Sequence, residues 1–175
     1  MLGALKRHLK KAQTRTLSSG SVLFFCLTLL VAAACVTAAQ ESNPLLGTWQ
    51  LNLSQSSFLS GPPTYKTVTC KIVAWQDGIR VIYDMVGWRG GVTHWEWTGK
   101  LDGQDYALQG VDEMITNAYR RVDPQTYSLV AKMDGRVTTT TTIVIAPDGK
   151  SMTATSPVPT PQGQTVVNTA VYTRR

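Results

Sequence analysis

From residue 40 to the C-terminus, hydrophobic and polar positions alternate or fall into short β-branched runs, and almost nowhere repeat with helical spacing. Ten such runs stand at residues 47–53, 65–75, 79–86, 92–101, 104–109, 115–122, 127–133, 137–145, 151–155 and 165–172. Asp-Gly pairs begin at positions 77, 102, 134 and 148. Both residues tolerate the positive φ of tight hairpins, so these pairs predict neighbouring antiparallel strands. No segment is left over for a crossover helix. The expected fold is all-β, a single antiparallel meander β-barrel of about 8–10 strands, because a sheet this long tends to close and remove its edges. A two-sheet sandwich suits the same spacing and is the alternative. The five threonines at 138–142 read as strand, since β-branched residues fit a pleated surface. Two longer connections, 54–63 and the proline-bearing 156–164, are candidate loops at a barrel mouth.

The first 39 residues follow another pattern. Lys6, Arg7, Lys10, Lys11 and Arg15 come first with no acid among them, then 21–34 is apolar apart from Ser21 and Thr28, then small residues follow. That order predicts a secretory signal peptide over 1–39 and a β-barrel domain over 40–175. Thr37-Ala38-Ala39 suits ordinary cleavage after Ala39. The run VAAAC ending at Cys35 resembles a lipobox, with Ala32 where lipoproteins usually have leucine. An uncleaved anchor is the third reading, although the apolar run is short of the roughly 20 residues of a membrane span.

Setting that segment aside changes the charge picture. The whole chain is +6, but five of its 17 lysines and arginines lie in 1–39, leaving 12 against 11 acids, near +1. The basic balance therefore belongs to the targeting signal, and no nucleic-acid surface is expected. The expected contact with membrane runs through the signal or anchor segment, or through lipid on Cys35. Of three cysteines only Cys70 remains, so no internal disulfide and no cysteine zinc site is expected. No cofactor is expected either.

Gly47, Thr48 and Trp49, in LLGTWQL, resemble the Gly-x-Trp opening of the calycins, the family of lipocalins and intracellular fatty-acid-binding proteins. The resemblance implies a barrel whose end is plugged by Trp49, with a basic residue near the chain end, Arg174 or Arg175, packed on the indole through a cation–π contact. The final NTAVYTRR is similar to the last strand of fatty-acid-binding proteins. Two departures matter. The segment 54–63 is too short for the pair of lid helices those proteins carry. Where they often place Arg-x-Tyr to hold a ligand carboxylate, this chain has Ala170, Val171 and Tyr172, so only Tyr172 matches. The chain looks more like bacterial exported lipocalin-like domains of unassigned ligand.

The densest chemistry is in THWEWTGK, residues 93–100. On a strand His94 and Glu96 share one face, about 7 Å apart, and Trp95 and Trp97 the other. His94 and Glu96 have the residue types for an acid–base pair or two metal ligands, but no third ligand is visible by spacing, so no metal site is expected. The plain alternative is a solvated polar pair. In the preceding run Ile79, Val81, Tyr83 and Met85 share one face, and Arg80, Ile82, Asp84 and Val86 the other. Simple hairpins would join Tyr83 to the indole face and Arg80 and Asp84 to the His94 face; a one-residue slip reverses this. The expectation is indoles inside. Alternation also sends Arg120 and Arg121 to opposite faces; an inward one would make an anion site, an outward one a salt bridge with Asp112, Glu113 or Asp123. Cys70 reads as a small buried residue.

These patterns point to an exported calycin-like barrel that takes a small hydrophobic or amphipathic molecule as its partner. Its expected walls are Trp75, Tyr83, Trp95, Trp97, Tyr119 and Tyr172, with Trp49 and Arg174 as the end plug. The alternatives are a small enzyme using His94 and Glu96, and a non-catalytic envelope structural or interaction domain.

Overall fold

The structure, a computed structural model, describes residues 43–160 and 162–175; the expected signal segment, with its Cys35 and Ala39, lies outside the described residues. Ten strands follow in chain order: β1 Gly47–Leu51, β2 Tyr65–Trp75, β3 Gly78–Gly87, β4 Val92–Gly99, β5 Tyr106–Gln109, β6 Ile115–Arg121, β7 Thr126–Met133, β8 Arg136–Ile145, β9 Ser151–Pro159 and β10 Thr165–Arg174. Each pairs antiparallel with its neighbours in sequence, and β1 pairs with both β2 and β10, closing the ring. The fold is a meander barrel, as the alternation implied, and not a sandwich. It is consistent with calycin-like architecture. One short 3-10 turn, Leu53–Gln55, follows β1.

The four Asp-Gly pairs do not all make hairpin tips. Asp134 and Gly135 do, with φ 49° and 76° between the paired Met133 and Arg136. Both central residues then have the positive φ of a turn that matches strand twist. At 77 the turn is shifted by one residue: Gln76, at φ 51°, and Asp77 form it, and Gly78 already pairs with Trp75. Asp148 and Gly149 sit in a wider turn closed from Gly149 N–H to the Ala146 carbonyl at 2.8 Å. Asp102 forms no hairpin. It bridges to Arg120 of β6, and its carboxylate accepts from Gln104 N–H and the Tyr106 hydroxyl, both at 2.9 Å. Those bonds fold 100–105 back on itself.

The ninth strand is longer than its sequence suggested, running through Pro157 to Pro159. The pairing explains why proline fits. Thr160 N–H donates to the Gln164 carbonyl at 2.7 Å, so in the alternating ladder the nitrogens of 157 and 159 face away from β10, toward β8. There the β8–β9 ladder stops at Thr142 opposite Thr155. Thr141 and Ser156 meet through their hydroxyls, 2.7 Å apart. Beyond them the two strands splay, and the missing prolyl N–H groups leave no partner wanting.

The core fixes which end is closed. Trp49 is fully buried, and its indole N–H donates to the Leu45 carbonyl at 2.9 Å. The Arg174 guanidinium lies 4.2 Å from the ring centroid and donates to the carbonyls of Pro44, Leu46 and Gly149. Gly47 is required here: its φ is 147°, and a Cβ would collide with that guanidinium. Val68, Cys70 and Ile72 of β2, Val81 of β3, Trp97 of β4 and Tyr119 of β6 continue the buried interior. The opposite end is ringed by the connections 52–64, 88–91, 110–114 and 134–135 and by the described residues 160 and 162–164.

Candidate functional site

The β3–β4 register decides the orientation of THWEWTGK. Tyr83 pairs with Trp95, Val81 with Trp97, Asp84 with His94 and Ile82 with Glu96. Trp97 is fully buried, so the indole face is the interior and the His94 face is the outside. Tyr83 and Trp95 stack with ring centroids 4.2 Å apart.

Above this floor lies a cavity of about 680 Å³. Tyr83, Trp95, Tyr119 and Tyr172, four of the expected wall residues, line it together. Trp97 is not on its surface. It sits below, edge-on to Tyr106 and 4.6 Å from the Tyr119 ring, with its N–H shared between the Tyr106 and Asn117 carbonyls at 3.1 Å. Trp75 is not a wall residue at all. On β2 the inward positions are 68, 70 and 72, so Trp75 is directed outward, 44% exposed, with the Arg80 guanidinium 5.4 Å from its ring centroid. A smaller bay of about 340 Å³ shares Phe58, Tyr83, Leu129 and Tyr172 with the main cavity, and reaches Thr141, Ser156 and Val158 where β8 and β9 part.

Several lining residues escaped the sequence reading. Met85, Leu108, Ile115, Asn117 and Leu129 also face the cavity. Their signal was parity: Ile115, Asn117 and Tyr119 occupy alternate positions on one strand. Phe58 had no such signal, because it lies in the β1–β2 connection. That connection is strapped along β10. Ser57 and Thr169 exchange backbone hydrogen bonds at 2.8 Å, and Asn168 bonds Ser60 through both its side-chain oxygen and nitrogen. Phe58, Ser60, Pro62 and Pro63 thereby form part of the cavity roof.

The Cys70 thiol and the phenols of Tyr83, Tyr119 and Tyr172 gather at the inner end, close enough to perturb one another's ionisation. Burial pushes the thiol up to about 12 and raises all three phenols. Each therefore stays protonated at neutral pH, a donor and not a nucleophile.

His94 and Glu96 do not meet in a pocket. His94 Nδ1 lies 2.7 Å from Asp84, its Nε2 3.4 Å from Glu96, and Glu96 is paired with Arg80, all on the outer face. His94 is half-exposed there. The Asp84 bond, aided by Glu96, raises the His94 pKa, and Arg80 lowers that of Glu96. This is a solvated charge ladder across two strands. Arg120 and Arg121 are both exposed, so neither supplies an inward anion site. Arg121 instead donates to the Asp123 and Pro124 carbonyls beyond its strand. Among the described residues no three His, Cys, Asp or Glu side chains gather as metal ligands. No protein-family model matches the chain, and no curated protein matches it, so the barrel and its interior carry the functional reading.

Proposed function

We propose that this chain is an exported lipocalin-like binder that holds a small, partly apolar molecule inside the barrel. The observation that carries the reading is the interior cavity of about 680 Å³, within the range of small-molecule sites and lined largely by aromatic and aliphatic side chains. The stacked Tyr83 and Trp95 form one wall, Phe58 and the 60–63 segment the roof, and the phenol cluster the inner end. The basic and apolar order of residues 1–39 supports export, with membrane contact through that segment or through lipid on Cys35.

Tryptophan emission during a ligand screen tests the binding. Trp95 alone among the five tryptophans lines the cavity, so a binding compound should change the emission, and Trp95→Phe should abolish most of that change. A screen of apolar and amphipathic compounds without any saturable change, together with no co-purifying molecule in native mass spectra, would sink the proposal.

A further inference from the structure

The chemistry of the lining goes further than the presence of a cavity. Among the described residues, every side chain that lines the main cavity or its bay is uncharged. The nearby ions, Arg80, Asp84, His94 and Glu96, stand on the outside of the wall. Where an inward arginine was an open expectation, Arg120 and Arg121 are exposed. An ionised group entering this space would shed water and find no counter-charge.

The cavity is not featureless oil, however. Asn117 is 5% exposed, and its side-chain amide has no hydrogen-bond partner among the described residues. No side-chain nitrogen or oxygen that is sealed from solvent lacks a partner among those residues, so this amide opens onto the cavity it lines. Its backbone is held in place, because the Asn117 carbonyl accepts from Trp97 at 3.1 Å. Two positions along the same strand face is Tyr119. A pure hydrocarbon that displaced water here would leave the amide unsatisfied, and a polar group on the ligand would satisfy it.

We infer that the occupant of this cavity is an uncharged molecule with an apolar body and a hydrogen-bonding oxygen or nitrogen that meets the Asn117 amide and the Tyr119 hydroxyl. Carboxylates and ammonium ions are excluded as the inward group. The inference rests on the binding reading above and deepens it.

Matched probes separate the two. The full chain is titrated with anthracene-9-carboxamide, anthracene-9-carboxylate and 9-(aminomethyl)anthracene at pH 7.5, followed by energy transfer from tryptophan, and the same three head groups are then tried on a dodecyl chain in competition. The expected result is an amide bound at least tenfold more tightly than either ion. Asn117→Leu should weaken the amide roughly five- to tenfold while binding unsubstituted anthracene at least as tightly as the parent, since no amide is then stranded. Tyr119→Phe, nearly isosteric, serves as the second variant if Asn117→Leu does not fold, and should weaken the amide in the same selective way. Equal or tighter binding of the carboxylate overturns the inference and leaves ligand binding intact. Binding by no member of either series, charged or neutral, overturns the binding reading and this inference with it.

Discussion

The Arg174 guanidinium covers the Trp49 indole at 4.2 Å while its nitrogens close on carbonyls from the chain entry and from the β8–β9 turn. One side chain thus ties the first strand, the last strand and the turn between two others. Arg174→Ala should cost about 2 kcal/mol in urea unfolding, from the lost cation–π contact and charge-assisted bonds. Arg174→Lys should recover less than half of it, because an ammonium cannot present the same planar fork. Equal stability of all three proteins would contradict the plug role.

Trp97 makes a second expectation. It fills the space below the cavity and donates to two carbonyls. Trp97→Phe removes volume and the indole donor from that site, at an expected cost of about 2–3 kcal/mol. Because Trp97 is off the cavity surface, the folded variant should bind a screened ligand nearly as well as the parent. A large affinity loss without a stability loss would place the indole in the binding surface.

The outer ladder has a defined pH sign. His94 is stabilised in its protonated form by Asp84 first and Glu96 second, so its folded pKa lies above the ordinary value near 6.5. Whatever stability this adds is complete below that ordinary value and is lost as pH rises through the folded one. Proton NMR titration should show the raised value, and Asp84→Asn should lower it. Since the ladder faces solvent, neither His94→Gln nor Glu96→Gln should alter ligand binding. A variant that abolished binding would restore the polar face as a candidate site.

Cys70 should be chemically silent. It is fully buried, with its thiol raised to about 12. In a chain with Cys26 and Cys35 replaced by serine, an aromatic disulfide reagent at pH 8 should react only in denaturant. Fast reaction of the native protein would mean that the inner end of the barrel opens.

The strand order and the inward indoles were readable because period-two alternation is a local signal; the placing of Tyr83 on the indole face was conditional on a simple β3–β4 hairpin, and the register of that connection fixes it. Trp75 misled because aromatic size was weighed above parity: its inward neighbours on β2 are Val68, Cys70 and Ile72, at even positions. The segment 54–63 was legible as a mouth loop, but the inward direction of Phe58 was not, since a loop residue's direction is set by distant bonds such as Ser57 to Thr169. Asp102 shows the same limit for turns. Its dipeptide matched a hairpin, but its carboxylate found Tyr106 instead. Asn117 was hidden because a polar residue on an inward face has no distinctive pattern until its partners are counted.

The parting of β8 and β9 has a consequence for association between molecules. A splayed strand ordinarily offers a row of free N–H groups to which another chain can add a strand. Pro157 and Pro159 present ring carbons on that side, so β9 offers no N–H donors at those two positions for an added strand. On its β9 side the parting beside the cavity is therefore blunted as an edge for strand addition.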